Sequence, residues 1–209
     1  WVHFLLKTFG CDREITSEFI SQLAYEAEVL EHHSPGGKMD QYTIGIGNIV
    51  FIETGNRFNY ELIGEKLNGM VLGESGIAKD TIGLLKSSKT NAIKAIQIIQ
   101  DKEAKFLLEK ASIKDHNNYK ALLPDELKPY FYAAIQNHII TQKALRALKE
   151  TTLNYPLIGD LINQHHRILR DDLKLTVPKI DAMVDAAVDA GAYGAKIIGS
   201  GGGGCIVAL

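Results

Sequence analysis

Cysteine is scarce. Two thiols, Cys11 and Cys205, in 209 residues are too few for a disulfide framework, and the expected compartment is a reducing one, the cytoplasm. Also missing is any run of about 18 apolar residues, so no membrane-spanning helix is expected. An excess of one charge is missing too. Lys and Arg number 23 against 25 Asp and Glu, a formal net charge of −2, which gives no electrostatic case for nucleic acid or an anionic membrane as partner. The opening WVHFLLKTFG is apolar but has neither the basic flank nor the small-residue cleavage site of a signal peptide. It begins with Trp1 rather than Met, so either residues were removed or the sequence starts partway through a longer protein. No internal repeat and no low-complexity linker is present.

What is there is ordinary globular composition, 45% hydrophobic and 23% charged, in a chain long enough to bury a core without staples. Residues 1–9 read as the tail of a buried helix stopped at Gly10. Thr16 or Ser17 caps a second helix running to about Glu31, with Ile20, Leu23, Ala24, Ala27 and Leu30 on its apolar face. A short helix runs from Met39 to about Gly45. Strands are expected at 48–54, 58–63 and 68–75, and helices at 80–100, 102–111, 125–150 and 156–170. A further helix begins near Pro178 and stops before Gly191. Two short strands, AKIIG and CIVAL, then flank a glycine run. A weak boundary falls near residue 65, and the mixture lacks strict βα alternation, so the fold class is α+β.

Two stretches carry chemistry. In IIGSGGGGCIVAL, five of the six residues Gly199 to Gly204 are glycine. No Gly-Lys-Ser/Thr opens a helix here and a strand follows, so neither a Walker loop nor a dinucleotide fingerprint fits. A structural turn and a phosphate contact both remain open. In SPGGKMDQ (34–41), Gly36 and Gly37 allow a close turn, and Asp40 sits at the beginning of a helix, where free N–H groups favour an anion. An ionised Asp in such a place can orient or deprotonate a hydroxyl. The plainer alternative is a helix-terminus carboxylate beside a solvated Lys38.

SPGGKMDQ resembles the galactokinase-type CGIMDQ segment. GAYGAKIIGSGGGGCIVAL (191–209) resembles that family's glycine-rich third motif, and the segment from Ile162 to Lys196 resembles what precedes it. With order and spacing also fitting, the chain is similar to the GHMP kinase superfamily of galactokinase, homoserine kinase, mevalonate kinase and phosphomevalonate kinase. The resemblance implies a two-domain fold. Residues 1–65 would be the remainder of an S5-like N-terminal domain, and 66–209 a ferredoxin-like α+β C-terminal domain.

The resemblance also implies roles. Asp40 is the expected catalytic base or positioner of the substrate hydroxyl. Glu28, twelve residues before it, is the expected Mg²⁺ contact, against the alternative of a surface carboxylate. Ser34, Gly36, Gly37 and Gln41 are expected at the substrate, and Gly199, Ser200, Gly201, Gly202 and Gly203 near the nucleotide phosphates. The implied cofactors are ATP and Mg²⁺, and the implied activity is phosphorylation of a sugar or sugar phosphate, at the anomeric hydroxyl. The stretch GIAKDTIGLLKSSKTN lacks the Tyr-Asn-x-Arg of galactokinases, and GGK before Met39 is nearer to heptose-kinase and fucokinase-like relatives.

The Pro-x-x-x-Gly-x-x-Ser-Ser phosphate loop of that superfamily is not among the 209 residues. The expectation is therefore a kinase lacking its N-terminal part, with negligible activity as an isolated chain. The alternative is a non-catalytic sugar-binding or regulatory module on a kinase-derived fold. His32-His33 and His165-His166 are adjacent, hence poor joint metal ligands, and are expected to be solvated or capping. Lys79, Asp80 and Lys86 are expected on a solvated helix face, against the alternative of reaching a phosphate, PYFYAA (129–134) in the core, and Cys205 as inert packing.

Overall fold

The computed structural model describes residues 1–34, 36–54, 58–64, 67–79 and 81–209, without the side chains of residues 81, 82 and 84–86. Pro35, the expected boundary at residues 65 and 66, Asp80 and the Lys86 side chain lie outside the described residues. The chain divides into two compact units, Trp1–Leu67 and Asn68–Leu209, each taken here by itself. Among the described residues no helix is long and apolar enough to cross a membrane.

The first unit holds α1 (Val2–Phe9), α2 (Ser17–Tyr25), α3 (Met39–Ile46) and an antiparallel hairpin of β1 (Ile49–Thr54) and β2 (Phe58–Gly64). Helix α1 stops at Gly10, whose φ of 84° is open to glycine at no steric cost. It is not the buried helix its composition predicts: none of its residues is buried, and Phe4 and Phe9 are 58% and 81% exposed. Apolar composition specifies a face, but burial needs a partner, and among the described residues of this unit α2 covers that face only in part, leaving Val2 and Leu6 half-buried.

Helix α2 starts where Thr16 Oγ1 accepts from the Phe19 N–H at 3.1 Å, satisfying one orphan donor of the first turn. It continues into a π-helical turn, Glu26–Leu30. The wider turn shifts the following positions around the axis. Val29 therefore enters the core at 5% exposure, while Leu30, expected on the apolar face, is 50% exposed. Helix α3 packs on α2 where Gly45 meets the fully buried Ser21, whose hydroxyl donates to the Ser17 carbonyl at 2.7 Å.

In the second unit β3 (Val71–Glu74) is followed by α4 (Thr81–Lys102), α5 (Ile113–Tyr119), α6 (Lys128–Leu148), α7 (Tyr155–Arg167), α8 (Pro178–Asp189), β4 (Ala195–Ile197) and β5 (Cys205–Ala208). The helix expected over 102–111 is absent. Only a 3₁₀ turn, Leu108–Lys110, occurs there, and α5 begins after it. Asp115 Oδ2 accepts from both the Ser112 N–H and the Ser112 hydroxyl, at 2.8 and 2.7 Å, and this Ser-x-x-Asp start defines α5. The aromatic run at 129–134 is core, as read: Phe131 is fully buried with Ile99, Leu127 and Ile135.

Strands β3, β5 and β4 form an antiparallel sheet in that order, with Gly73 opposite Ile206 and Lys196 opposite Val207. A second apolar cluster joins Ile180 and Val184 of α8 to Ala195, Ile197, Ile206 and Ala208 of the sheet. Helix α7 reaches the sheet by backbone contact. A Cβ on Gly194 would lie 2.0 Å from the Gly159 carbonyl oxygen. Asn163 clamps the same junction, accepting from the Ala195 N–H at 2.9 Å and donating to the Tyr193 carbonyl at 3.2 Å. This close approach is the physical reason for Gly194 in GAYGAK.

Candidate functional site

A groove of about 790 Å³ opens in the first unit. Its walls come from the start of the chain (Trp1, Val2, His3), from α2 and the π turn (Ile20, Ala24, Ala27, Glu28, His32) and from α3 (Asp40, Gln41, Ile44, Gly45). The structure thus brings Glu28, Asp40 and Gln41 to one surface. Asp40 lies in the first turn of α3 with its side chain exposed, where unpaired helix N–H groups favour a negative charge. Glu28 Oε2 accepts from Gln41 Nε2 at 2.9 Å. Gln41 is 8% exposed, and among the described residues its Oε1 has no hydrogen-bond partner. A buried carbonyl oxygen left in that state lacks a donor.

Ser34, Gly36 and Gly37 belong to the loop before α3 and are not part of the groove wall. Ser34 Oγ accepts from the Gly36 N–H at 3.3 Å, and a Cβ on Gly37 would meet nothing within 4 Å. Lys38 is half-buried against aromatic rings rather than freely solvated. Its ammonium lies 4.4 Å from the Phe58 ring centroid, 5.1 Å from that of Tyr25 and 5.7 Å from that of Tyr42. Behind it, the Tyr42 hydroxyl donates to Gln22 Oε1 at 2.7 Å, and Gln22 Nε2 donates to Glu26 Oε1 at 2.7 Å. Burial holds the Tyr42 hydroxyl above its ordinary pKa. Sequence reasoning missed this polar-aromatic group, because Gln22, Tyr25, Tyr42 and Phe58 show no common period and meet only through folding.

The glycine run lies in the second unit and is packed against that unit's own backbone. Gly202 N–H donates to the Leu175 carbonyl at 2.8 Å, and Gly204 N–H to the Ile77 carbonyl at 2.8 Å. A Cβ on Gly201 would lie 2.2 Å from the Leu175 oxygen, and one on Gly203 would lie 2.7 Å from the Ile77 and Ala78 oxygens. The Lys79 side chain runs alongside, its Nζ 3.0 Å from the Cβ position of Gly199. Ser200 Oγ is buried and unpartnered among the described residues.

The expectation of solvated histidines fails for the second pair. His166 is 2% exposed, its Nδ1 accepts from the Ile197 N–H at 3.4 Å, and its Nε2 lies 3.6 Å from Asp181 Oδ1. Burial pushes its pKa down. It also pushes His165 down to about 4, with the Lys196 charge adding to the effect. Lys196, on β4, donates to the Ile197 carbonyl at 2.6 Å and is itself depressed to about 8 by burial and then by Lys79. The pair lands at the join of α7 and the sheet because a strand pairs across it, which helical spacing alone does not reveal. His32 and His33 are exposed. Among the described residues no group of three or more His, Cys, Asp or Glu is placed to hold a metal ion.

Residues 142–209 match the family model for the GHMP kinases C-terminal domain. Over that segment the chain is similar to the GHMP kinase superfamily. It is 28% identical to a galactokinase of Fusobacterium nucleatum over 184 residues, 83% of this chain and 46% of that protein. It is 27% identical to a mevalonate kinase of Thermococcus onnurineus over 196 residues, 94% of this chain and 49% of that protein. The fold matches that of a Lactococcus lactis galactokinase solved with galactose, at a TM-score of 0.83 and 22% identity, covering 100% of this chain and 54% of that one. The chain thus spans about half the length of the curated relatives it matches.

Proposed function

We propose that these residues serve the ATP-dependent phosphorylation of a sugar or sugar-phosphate hydroxyl, as the C-terminal part of a kinase. The observation that carries the reading is Gln41 Oε1. Among the described residues it is a buried acceptor without a partner, on the wall of a groove that also carries the Asp40 and Glu28 carboxylates. A hydroxyl-rich ligand supplies the missing donor. Kinship with galactokinases supports a sugar over other alcohols.

In this reading Gln41 Oε1 accepts a hydrogen bond from a hydroxyl and fixes the ring, while Asp40 aligns the reacting hydroxyl and takes its proton as the oxygen bonds to the γ-phosphorus and the bond from that phosphorus to ADP breaks. The amide of Gln41 holds Glu28 in place from behind. Mg²⁺ is ordinarily bound through one or two carboxylates together with substrate phosphates rather than by an all-protein cage. The donor set fits that pattern, and Glu28 would hold the ion. When bound, Mg²⁺ neutralises charge developing on the transferred phosphoryl group. The 199–204 loop would lie near the nucleotide, its shape fixed by the carbonyls of Ile77, Ala78 and Leu175.

The test is calorimetric titration of the chain with galactose, fucose, a heptose phosphate and mevalonate, with and without Mg-ATP. Mass spectrometry for a phosphorylated product accompanies it. Binding of a sugar that Gln41→Leu weakens supports the proposal. Binding of mevalonate alone, or of none of the four, overturns the sugar assignment.

A further inference from the structure

Lys38 is a cation enclosed by aromatic rings from three elements: Tyr25 ends α2, Tyr42 lies in α3 and Phe58 begins β2. Its ammonium lies 4.4 to 5.7 Å from the three ring centroids, within the range over which a ring quadrupole attracts a cation. The rings also support one another: the centroids of Tyr42 and Phe58 are 4.3 Å apart. The half-buried side chain is therefore turned toward the rings and forms no part of the groove wall. Its backbone has a second task. The Lys38 carbonyl accepts from the Tyr42 N–H at 3.1 Å, the first intrahelical bond of α3, and Asp40 and Gln41 lie inside that turn.

We infer that Lys38 is a positioning residue for the proposed reaction: caged by Tyr25, Tyr42 and Phe58, it pins the first turn of α3 and so sets Asp40 and Gln41 against Glu28. The inference rests on the proposed function for what Asp40 and Gln41 do, but not for what Lys38 holds. Three rings around one ammonium tie α2 and α3, which flank the groove, to β2, and a cation is drawn to their electron-rich faces. A thioether of similar length, as in Lys38→Met, keeps the packing and a weak sulfur–ring contact but loses the attraction of a full charge to the ring faces. Arg keeps the charge and stacks on aromatic faces.

The test compares Lys38→Met, Lys38→Arg and Tyr25→Leu with the unchanged chain. Two readouts are used, amide hydrogen exchange and affinity for whichever sugar the unchanged chain binds. Lys38→Met is expected to speed exchange at the Tyr42 amide about fivefold or more, with the β1–β2 ladder amides unmoved. It is also expected to weaken sugar binding about threefold or more, with Lys38→Arg restoring both. Tyr25→Leu reaches the same end from the ring side, so a misfolded Lys38→Met does not remove the test. Exchange that rises equally in the β1–β2 ladder, or that stays unchanged at Tyr42, overturns the inference. If the unchanged chain binds no sugar, the functional reading fails, and the exchange pattern still decides the role of Lys38.

Discussion

Gln41 on α3 and Glu28 on the π turn share a hydrogen bond, Nε2 to Oε2 at 2.9 Å, and the bond joins two elements 13 positions apart in the chain. It orients both side chains at once. The amide nitrogen is occupied by Glu28, so under the proposed function the amide oxygen is the end left for a ligand, and the exposed Glu28 carboxylate is oriented along the groove wall by this bond. The widened turn matters to this pairing, because it changes which residues after Tyr25 face inward and which reach the groove.

Removing these groups should separate their tasks. Asp40→Asn is expected to lower Mg-ATP-dependent sugar phosphorylation by about 10²–10⁴-fold while nucleotide affinity survives, since it removes the proton acceptor and little volume. Gln41→Leu should instead raise the sugar KM about 3- to 10-fold, the worth of one hydrogen bond. Steady-state kinetics of the kinase that carries these residues makes the comparison. Equal turnover in Asp40→Asn would remove Asp40 from the mechanism.

The α2–α3 contact admits no extra carbon. A Cβ on Gly45 would lie 2.1 Å from Ser21 Oγ and 3.3 Å from the Ser17 carbonyl oxygen. Gly45→Ala is expected to destabilise the first unit by about 1–3 kcal/mol. Adding Ser21→Ala removes the nearer atom, so the double variant should lose less than the sum of the two single ones. Urea unfolding of all four chains reads the coupling, and strict additivity would show that the two residues do not meet.

At Gly194 no such relief exists, because the obstructing atoms are backbone of Gly159 on α7, at 2.0 to 2.8 Å. Gly194→Ala should reach or pass the ~3 kcal/mol end of the overpacking range, and no side-chain substitution at a neighbouring position should rescue it. A urea midpoint for the second unit within error of the unchanged chain would refute the close approach.

Acid should loosen the second unit before its carboxylates titrate. The folded-state pKa values of His165 and His166 lie below the ordinary histidine value, His165 at about 4. Between about 6.5 and that value the unfolded chain binds more protons than the folded one, so stability falls as pH drops through this window. The lowered carboxylates of Asp115 and Asp171 act at still lower pH. Urea midpoints at pH 7.5 and 5 are expected to differ, and His165→Gln with His166→Gln should flatten the difference. Lys196 gives the alkaline counterpart. Depressed to about 8, it should let stability rise between that value and the ordinary lysine pKa of about 10.4, a rise that Lys196→Met abolishes.

Much of the architecture was legible because its signals are local. Gly10 and Thr16 bound their helices through backbone conformation and capping, Pro178 opens α8, and the runs at 49–54 and 205–208 are strands by composition alone. The order of SPGGKMDQ and the terminal glycine motif was enough to point to the superfamily. The start of helix α5 is written in the Ser112–Asp115 spacing, C-terminal to the helix expected over 102–111. What the sequence could not decide is whatever depends on distant partners. The π turn moves Leu30 out and Val29 in. The exposure of α1 reflects what covers it rather than what composes it. Lys38 is half-buried and His166 buried, though charged or polar by type, because Phe58 and Ile197 arrive from other elements. Local propensity and spacing choose elements, whereas burial and the pairing of polar groups are settled only when elements far apart in the chain meet.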